Sequence, residues 1–215
     1  MNVQLSIIQL KNKIIVLICK TISFFINFLH LGAGSTWPGH IALYFNKNFI
    51  KESFGKSRTK VILIAGTNGK TTTSTMLRFV LEQKGKKVFQ NEEGANLLNG
   101  IASSIIKKSD YSGKSNYDFA IFESDENTLP LVLDEINPFV IILLNLFRDQ
   151  LDRYGEVNTI ALNWKKSFQK LDKRTTIVLN GDDPLIAFFG KNLRHGEFLF
   201  STSVFYRRQS SIYLI

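Results

Sequence analysis

The chain opens on a long apolar stretch and then settles into short apolar runs separated by amphipathic segments. From Ile14 to Leu31 it reads IIVLICKTISFFINFLHL, and with the residues before it the pattern predicts one helix over 3–31. Gly32, Gly34 and Pro38-Gly39 break that helix into a loop. Residues 41–54 form a short amphipathic stretch, and the polar connector 55–60 marks a domain boundary. Beyond it the chain alternates. Residues 61–65, 87–90, 118–123, 139–144 and 175–179 predict strands. Residues 71–83, 94–108, 126–136, 156–171 and 182–189 predict helices, the first of them stopped at Gly85. The unbroken apolar run at 139–144 suits a parallel strand covered on both faces. Strands alternating with helices imply an α/β fold with a parallel sheet wound by right-handed crossovers. After Gly190 the pattern fades to one strand at 197–200 and an aromatic-rich end. The expected organisation is an N-terminal helix and loop segment over 1–55, a central α/β domain over 56–192 and an atypical tail over 193–215.

Composition narrows this picture only a little. With 215 residues, 44% of them hydrophobic, the chain can bury the core of one large or two small domains. The net charge is +9, but the basic residues are scattered, which argues for composition bias and no nucleic acid partner. Cys19 is the lone cysteine, so neither a disulfide framework nor a cysteine zinc site can be built, and a reducing cytoplasm fits. The apolar N-terminal run follows Lys11 and Lys13, is interrupted by Lys20 and lacks a small-residue cleavage site. It reads first as a helix docked on the core, with association to the inner face of a membrane as the alternative.

The strongest chemical signal is the run from Val61 to Thr73, VILIAGTNGKTTT. An apolar strand enters a glycine turn, then Lys-Thr, then a helix. Gly66 and Gly69 let backbone amides of Thr67 and Asn68 approach phosphate oxygens with no Cβ in the way. The helix that follows offers its free amides, Thr72 among them, and its positive dipole end to an anion. Lys70 is placed to reach β- and γ-phosphates, and the Thr71 hydroxyl to ligate Mg²⁺. The spacing is one glycine short of the standard phosphate loop, because Ile64 stands where G-x-x-x-x-G-K-[ST] needs glycine.

The string GTNGKTTT resembles the nucleotide loop of the Mur ligase and folylpolyglutamate synthetase superfamily. Three further segments extend the likeness: Phe122-Glu123-Ser-Asp125-Glu126, Asn145-Leu-Phe-Arg148-Asp149-Gln150-Leu-Asp152-Arg153-Tyr154-Gly155-Glu156, and Asn180-Gly-Asp182-Asp183-Pro184. Gln150 stands where many Mur ligases carry a metal-proximal histidine. That departure, together with Gly94-Ala95-Asn96-Leu97-Leu98-Asn99-Gly100 and Gly34-Ser-Thr-Trp-Pro38-Gly39, resembles the MurT family of amidating subunits. The resemblance covers roughly residues 10–190. It implies a Mur ligase central domain of the P-loop NTPase-like kind, using ATP and Mg²⁺ to activate a carboxylate as an acyl phosphate. It also implies a lipid II-type substrate at the membrane surface and ammonia from a GatD-like glutamine amidotransferase partner.

By the same resemblance Lys70 and Glu123 carry catalysis, Thr71 and Glu123 hold Mg²⁺, and Asn145, Asn180 and Asp183 lie toward the nucleotide. Glu123 also ends a buried strand, where open α/β sheets bind ligands; the alternative is a solvated strand-end charge. Asp125 and Glu126 are weaker candidates, and Glu126 could cap the next helix. Asp149, Asp152 and Arg153 form a charged loop that could equally be a local ion-pair network. Lys165 sits at the spacing of a carbamylated lysine in several Mur ligases, beside Lys166. Asp182 could be the N-cap of the helix after it, and Asn96 could face the acceptor or close a loop. The family pattern continues into a four-cysteine zinc ribbon and a closing C-terminal domain, for which this sequence has neither cysteines nor length. The expectation is a partial ligase subunit that binds ATP and by itself does not turn over. The competing readings are a folylpolyglutamate-synthetase-like or amino-acid-adding ligase, and a non-catalytic ATP-binding module.

Overall fold

Strand formation here follows the apolar runs, because only elements covered on both faces can carry them. The computed structural model describes residues 2–28, 36–55, 57–91, 94–111, 113, 115–147, 154–190, 196–200 and 205–208. Three helices come first: α1 (Asn2–Phe28), α2 (Trp37–Phe45) and α3 (Phe49–Phe54). Then β1 (Lys60–Ala65), α4 (Lys70–Gln83), β2 (Val88–Gln90), α5 (Leu98–Lys108), β3 (Phe119–Ser124), α6 (Leu129–Glu135) and β4 (Val140–Leu143) alternate. The chain continues through α7 (Tyr154–Phe168), β5 (Thr176–Asn180), α8 (Pro184–Gly190), β6 (Gly196–Phe200) and β7 (Phe205–Arg208). The sheet order is β2-β3-β1-β4-β5-β6-β7. Every pair is parallel except β6 with β7.

Chain direction decides which helix covers which face. A right-handed crossover places its helix according to the direction in which the chain steps across the sheet. The step from β1 to β2 runs opposite to the steps β2→β3, β3→β4 and β4→β5, so α4 alone lies on its face. There Leu77 and Leu81 pack over Ile62, Ile64 and Ile121. The other face carries Val61, Leu63, Ala65, Phe122 and Leu143, the alternate residues of the same strands, under a core that also includes Phe49, Ile101, Leu129 and Trp164. Adjacent strands β1, β3 and β4 thus send their helices to opposite faces. Their carboxyl ends open into the crevice where open α/β sheets bind ligands.

The expected elements are present, with shifts that have local causes. The stretch 41–54 divides into α2 and α3 at Asn46, whose amide group bonds Asn12 and Glu52 at 2.7 Å each. The helix expected from residue 94 begins at Leu98, because Gly94 has φ +76°, outside the helical region. Strand β7 was not foreseen. With β6 it extends the sheet past residue 192, the expected end of the central domain. The N-terminal segment shares the main core: Ile15, Val16, Cys19, Ala42, Phe49 and Ile50 are each 5% exposed or less. Burial raises the Cys19 thiol to about 11, which leaves it protonated and unreactive near neutral pH.

Gly39 explains how α2 and α5 come so close. Its amide donates to Ser103 Oγ at 2.8 Å, and a Cβ at this position would overlap the backbone carbonyl of Asn99. Replacing Gly39 by alanine is expected to push the helices apart and cost about 1–3 kcal/mol. Chemical denaturation of the two forms measures it; equal midpoints would show that the helices separate freely.

Candidate nucleotide and metal site

Three strand ends and one helix start meet at the crevice. Register sets the first contact: Ile64 of β1 lies level with Glu123 of β3 and Ile142 of β4. The chain then turns at Gly66, where φ is +150°. A Cβ there would stand 3.0 Å from the Asn145 carbonyl oxygen, so this turn packs directly on the β4 loop and requires glycine. Gly69, at φ +84°, is the N-cap of α4 and supplies no side-chain cap. The first-turn amides of a helix have no partner within it. Here they remain available to an anion, with the positive end of the dipole behind them.

Asn145 holds the loop in shape. Its Nδ2 donates to the Asn68 carbonyl at 3.0 Å, its Oδ1 accepts from the Asn68 amide at 2.8 Å, and its backbone oxygen accepts from the Thr67 amide at 3.1 Å. The Phe147 amide donates to the Thr67 hydroxyl at 3.0 Å. Both polar ends of the Asn145 side chain therefore clamp the loop. An Asn145→Ala variant is expected to weaken nucleotide binding about tenfold through loop disorder, since two side-chain hydrogen bonds of about 1 kcal/mol each are lost. Asn145→Asp sets a carboxylate oxygen against the Asn68 carbonyl and a negative charge beside the anion site, so it should weaken binding at least as much; titration with a fluorescent ATP analogue reads both.

Glu123 is the buried charge of the site, at 2% exposure. Its Oε2 accepts from the Thr71 hydroxyl and its Oε1 from the Ser74 hydroxyl, both at 2.7 Å. Among the described residues no cationic side chain pairs with it. A buried carboxylate held only by two neutral hydroxyls lacks charge compensation. A divalent cation ligated by oxygen atoms would supply it, and Thr71 and Glu123 offer two such oxygens on adjacent elements. The residues present thus fit a magnesium ion. Lys70 sits half-buried beside them. Its Nζ donates to the Gly66 carbonyl at 2.6 Å and the Thr67 carbonyl at 3.2 Å, and lies 3.7 Å from Asp125.

Two contributors carry no motif signal. Ser74 lies three residues after Thr71, on the same helix face, and that spacing alone could have suggested it. Asn91, 1% exposed, donates to the carbonyls of Glu123 at 3.0 Å and Ala95 at 2.8 Å, and accepts from the Glu123 amide at 2.9 Å. It fixes the end of β3, and nothing short of the strand pairing reveals it. Asn96 donates to Asp125 at 3.4 Å, linking this end of α5 to the Lys70 partner.

The remaining candidates lie around this centre or outside the described residues. Asn180 donates to the Leu144 carbonyl at 2.7 Å and accepts from the Asp182 amide at 3.0 Å. Asp183, 5% exposed, accepts from the amides of Leu146, Leu185 and Ile186 at 2.9, 2.9 and 3.0 Å. The side chain that caps α8 is thus Asp183, where Asp182 was considered, and it also ties α8 to the β4 loop. The Glu126 backbone carbonyl accepts from the Trp164 indole at 2.8 Å. Lys165 lies half-buried on α7, and among the described residues no hydrogen bond or ion pair joins its side chain to Glu123 or the phosphate loop. Asp149, Gln150, Asp152 and Arg153 lie outside the described residues.

Residues 64–208 match the Mur ligase middle domain. The MurT subunit of lipid II isoglutaminyl synthase (glutamine-hydrolyzing) from Streptococcus pneumoniae is 35% identical over 175 residues, covering 77% of this chain and 38% of that protein. The UDP-N-acetylmuramoylalanine–D-glutamate ligase of Syntrophus aciditrophicus is 31% identical over 68% of this chain and 30% of its own length. The chain therefore spans well under half of these relatives. Among solved structures, MurF ligase from Thermotoga maritima in complex with ADP superposes with a TM-score of 0.61 at 18% identity, over 78% of this chain and 39% of that one. The match over most of the α/β sheet and the MurT likeness over three quarters of the sequence agree: the chain belongs to the Mur ligase family, through its middle domain.

Proposed function

We propose that this chain is the nucleotide-binding part of a MurT-type subunit, which amidates the D-glutamate α-carboxyl of the lipid II stem peptide with ammonia from a GatD-like glutamine amidotransferase. The observation that carries the nucleotide half of this reading is the buried Glu123 carboxylate, which has no cationic partner among the described residues and faces the Thr71 hydroxyl at the start of α4. Lys70 gives up its contacts with the loop carbonyls and holds the β- and γ-phosphates, while the first-turn amides of α4 carry the remaining phosphate charge. Glu123 and Thr71 hold magnesium, which when bound draws negative charge from the γ-phosphate. The acceptor carboxylate attacks the γ-phosphorus and ADP leaves, forming an acyl phosphate. Ammonia then attacks the acyl carbon, phosphate leaves, and a proton is released. Glu123 and Lys70 act in the first step.

The MurT likeness supports ammonia as the nucleophile over a free amino acid, because MurT proteins align over more of the chain and at higher identity than the D-glutamate-adding ligases. Calorimetry of the purified chain with Mg-ATP tests the nucleotide half: binding is expected, and folded protein that takes up no Mg-ATP would overturn it. Mass spectrometry of lipid II incubated with the chain joined to the remaining segments of a MurT relative, a GatD-type glutaminase, glutamine and Mg-ATP tests the rest. Amide product supports the full assignment. Binding without product from either glutamine or free D-glutamate would leave a non-catalytic ATP module.

A further inference from the structure

Helix α1 is apolar on two sides, and the core uses one of them. Ile15, Val16 and Cys19 face inward, at 5%, 2% and 0% exposure. At about 100° per residue, Leu10, Ile14, Leu17, Ile18 and Phe25 fall on the opposite arc. They are 58%, 49%, 49%, 42% and 55% exposed. A helix apolar all round belongs in a core or in lipid. One that lies on the surface with a continuous apolar face presents an interaction site.

The charges say what would cover it. Exposed Lys11 and Lys13 flank the arc on its two sides. Lys20 follows Lys13 along the same edge, where its Nζ donates to the Ser109 carbonyl at 2.6 Å and lies 5.1 Å from the ring centre of Tyr111, itself 70% exposed. Before Glu52 the sequence holds five lysines, Lys11, Lys13, Lys20, Lys47 and Lys51, and no Asp or Glu. Glu52 itself is turned to Asn12 and Asn46, whose amides donate to it at 2.9 and 2.7 Å. An apolar arc edged by lysines, on a segment free of acids, complements an anionic bilayer surface: side chains enter the acyl boundary while lysines reach phosphate headgroups. None of the described helices is long and apolar enough to cross a membrane, so α1 would lie along the surface.

We propose that α1 is an interfacial membrane-docking helix, which seats the domain on an anionic lipid surface through Leu10, Ile14, Leu17, Ile18 and Phe25. This goes beyond the nucleotide site and stands or falls apart from it. The test is co-sedimentation of the chain with vesicles of phosphatidylglycerol and phosphatidylcholine, against phosphatidylcholine alone. Binding is expected to the anionic vesicles, weaker binding to the neutral ones, and a loss as sodium chloride rises. Ile14→Glu with Leu17→Glu changes two outward residues, so melting temperature and Mg-ATP binding should hold while the vesicle partition coefficient falls about tenfold or more. Lys11→Gln with Lys13→Gln should remove most of the difference between the two lipids. Equal partitioning of the Ile14/Leu17 variant and the parent, or no binding of the folded parent to anionic vesicles, would overturn the proposal. So would light scattering that shows a dimer split by the same variant and indifferent to vesicles, which would make the arc an interface between copies.

Discussion

Lys70→Ala is expected to lower the affinity for Mg-ATP about 100-fold while leaving the melting temperature within a degree or two. Its Nζ bonds the Gly66 and Thr67 carbonyls and lies 3.7 Å from Asp125, within reach of a phosphate held by the loop. A charge-assisted contact to phosphate contributes about 1.5–3 kcal/mol, and 1.4 kcal/mol is tenfold in binding. The fold loses little, because the two hydrogen bonds are local to one turn and the Asp125 carboxylate is 42% exposed. Glu123→Gln is the companion. It keeps the side chain's shape and one of the two accepted hydroxyl bonds but removes the charge, so ATP binding in the presence of EDTA should barely change while the gain conferred by magnesium disappears. Calorimetry with and without Mg²⁺ separates the two variants. If Glu123→Gln keeps the full magnesium effect, the cation sits elsewhere.

The largest stability effect is expected at Trp164. It is fully buried at the junction of α7 with the segment after β3, its ring packs 6.2 Å from that of Phe168, and its indole donates to the Glu126 carbonyl. Trp164→Ala should cost about 3–5 kcal/mol, by loss of apolar contact and by the cavity left behind. At about 2–4 °C per kcal/mol for a chain of this size, the melting point falls by roughly 10 °C or more. Trp164→Phe fills most of the volume and forfeits the hydrogen bond, for about 1–2 kcal/mol. A loss of less than 1 kcal/mol in the alanine variant, read by urea denaturation, would mean that α7 is not anchored there. Glu126 lies three residues beyond Glu123, so the alanine variant should also blunt the magnesium effect before it unfolds the protein.

The alternation of apolar runs and amphipathic helices, the phosphate loop and Glu123 at a strand end were legible in the amino-acid sequence. Each is a local property: a strand announces its burial by its own side chains, and a turn announces its φ by glycine. The roles of Asn145, Asn180 and Asp183 were not. The family resemblance sets them toward the nucleotide. In the fold their amides and carboxylate also bond the backbone of Asn68, Leu144, Leu146 and α8, contacts that shape the crevice and that no local pattern announces. Asn91 and the Lys70–Asp125 pair were invisible for the converse reason. Their partners lie 32 and 55 residues away in sequence and meet only through the pairing of β1, β2 and β3. The sequence by itself determined which segments become strands and helices and where the glycine turn leads into α4, because those depend on neighbours a few residues apart. The tertiary structure alone decided that, among the described residues, Glu123 is buried against hydroxyls with no cationic partner and one side of α1 stays exposed, because burial is set by whatever the chain brings back from far away.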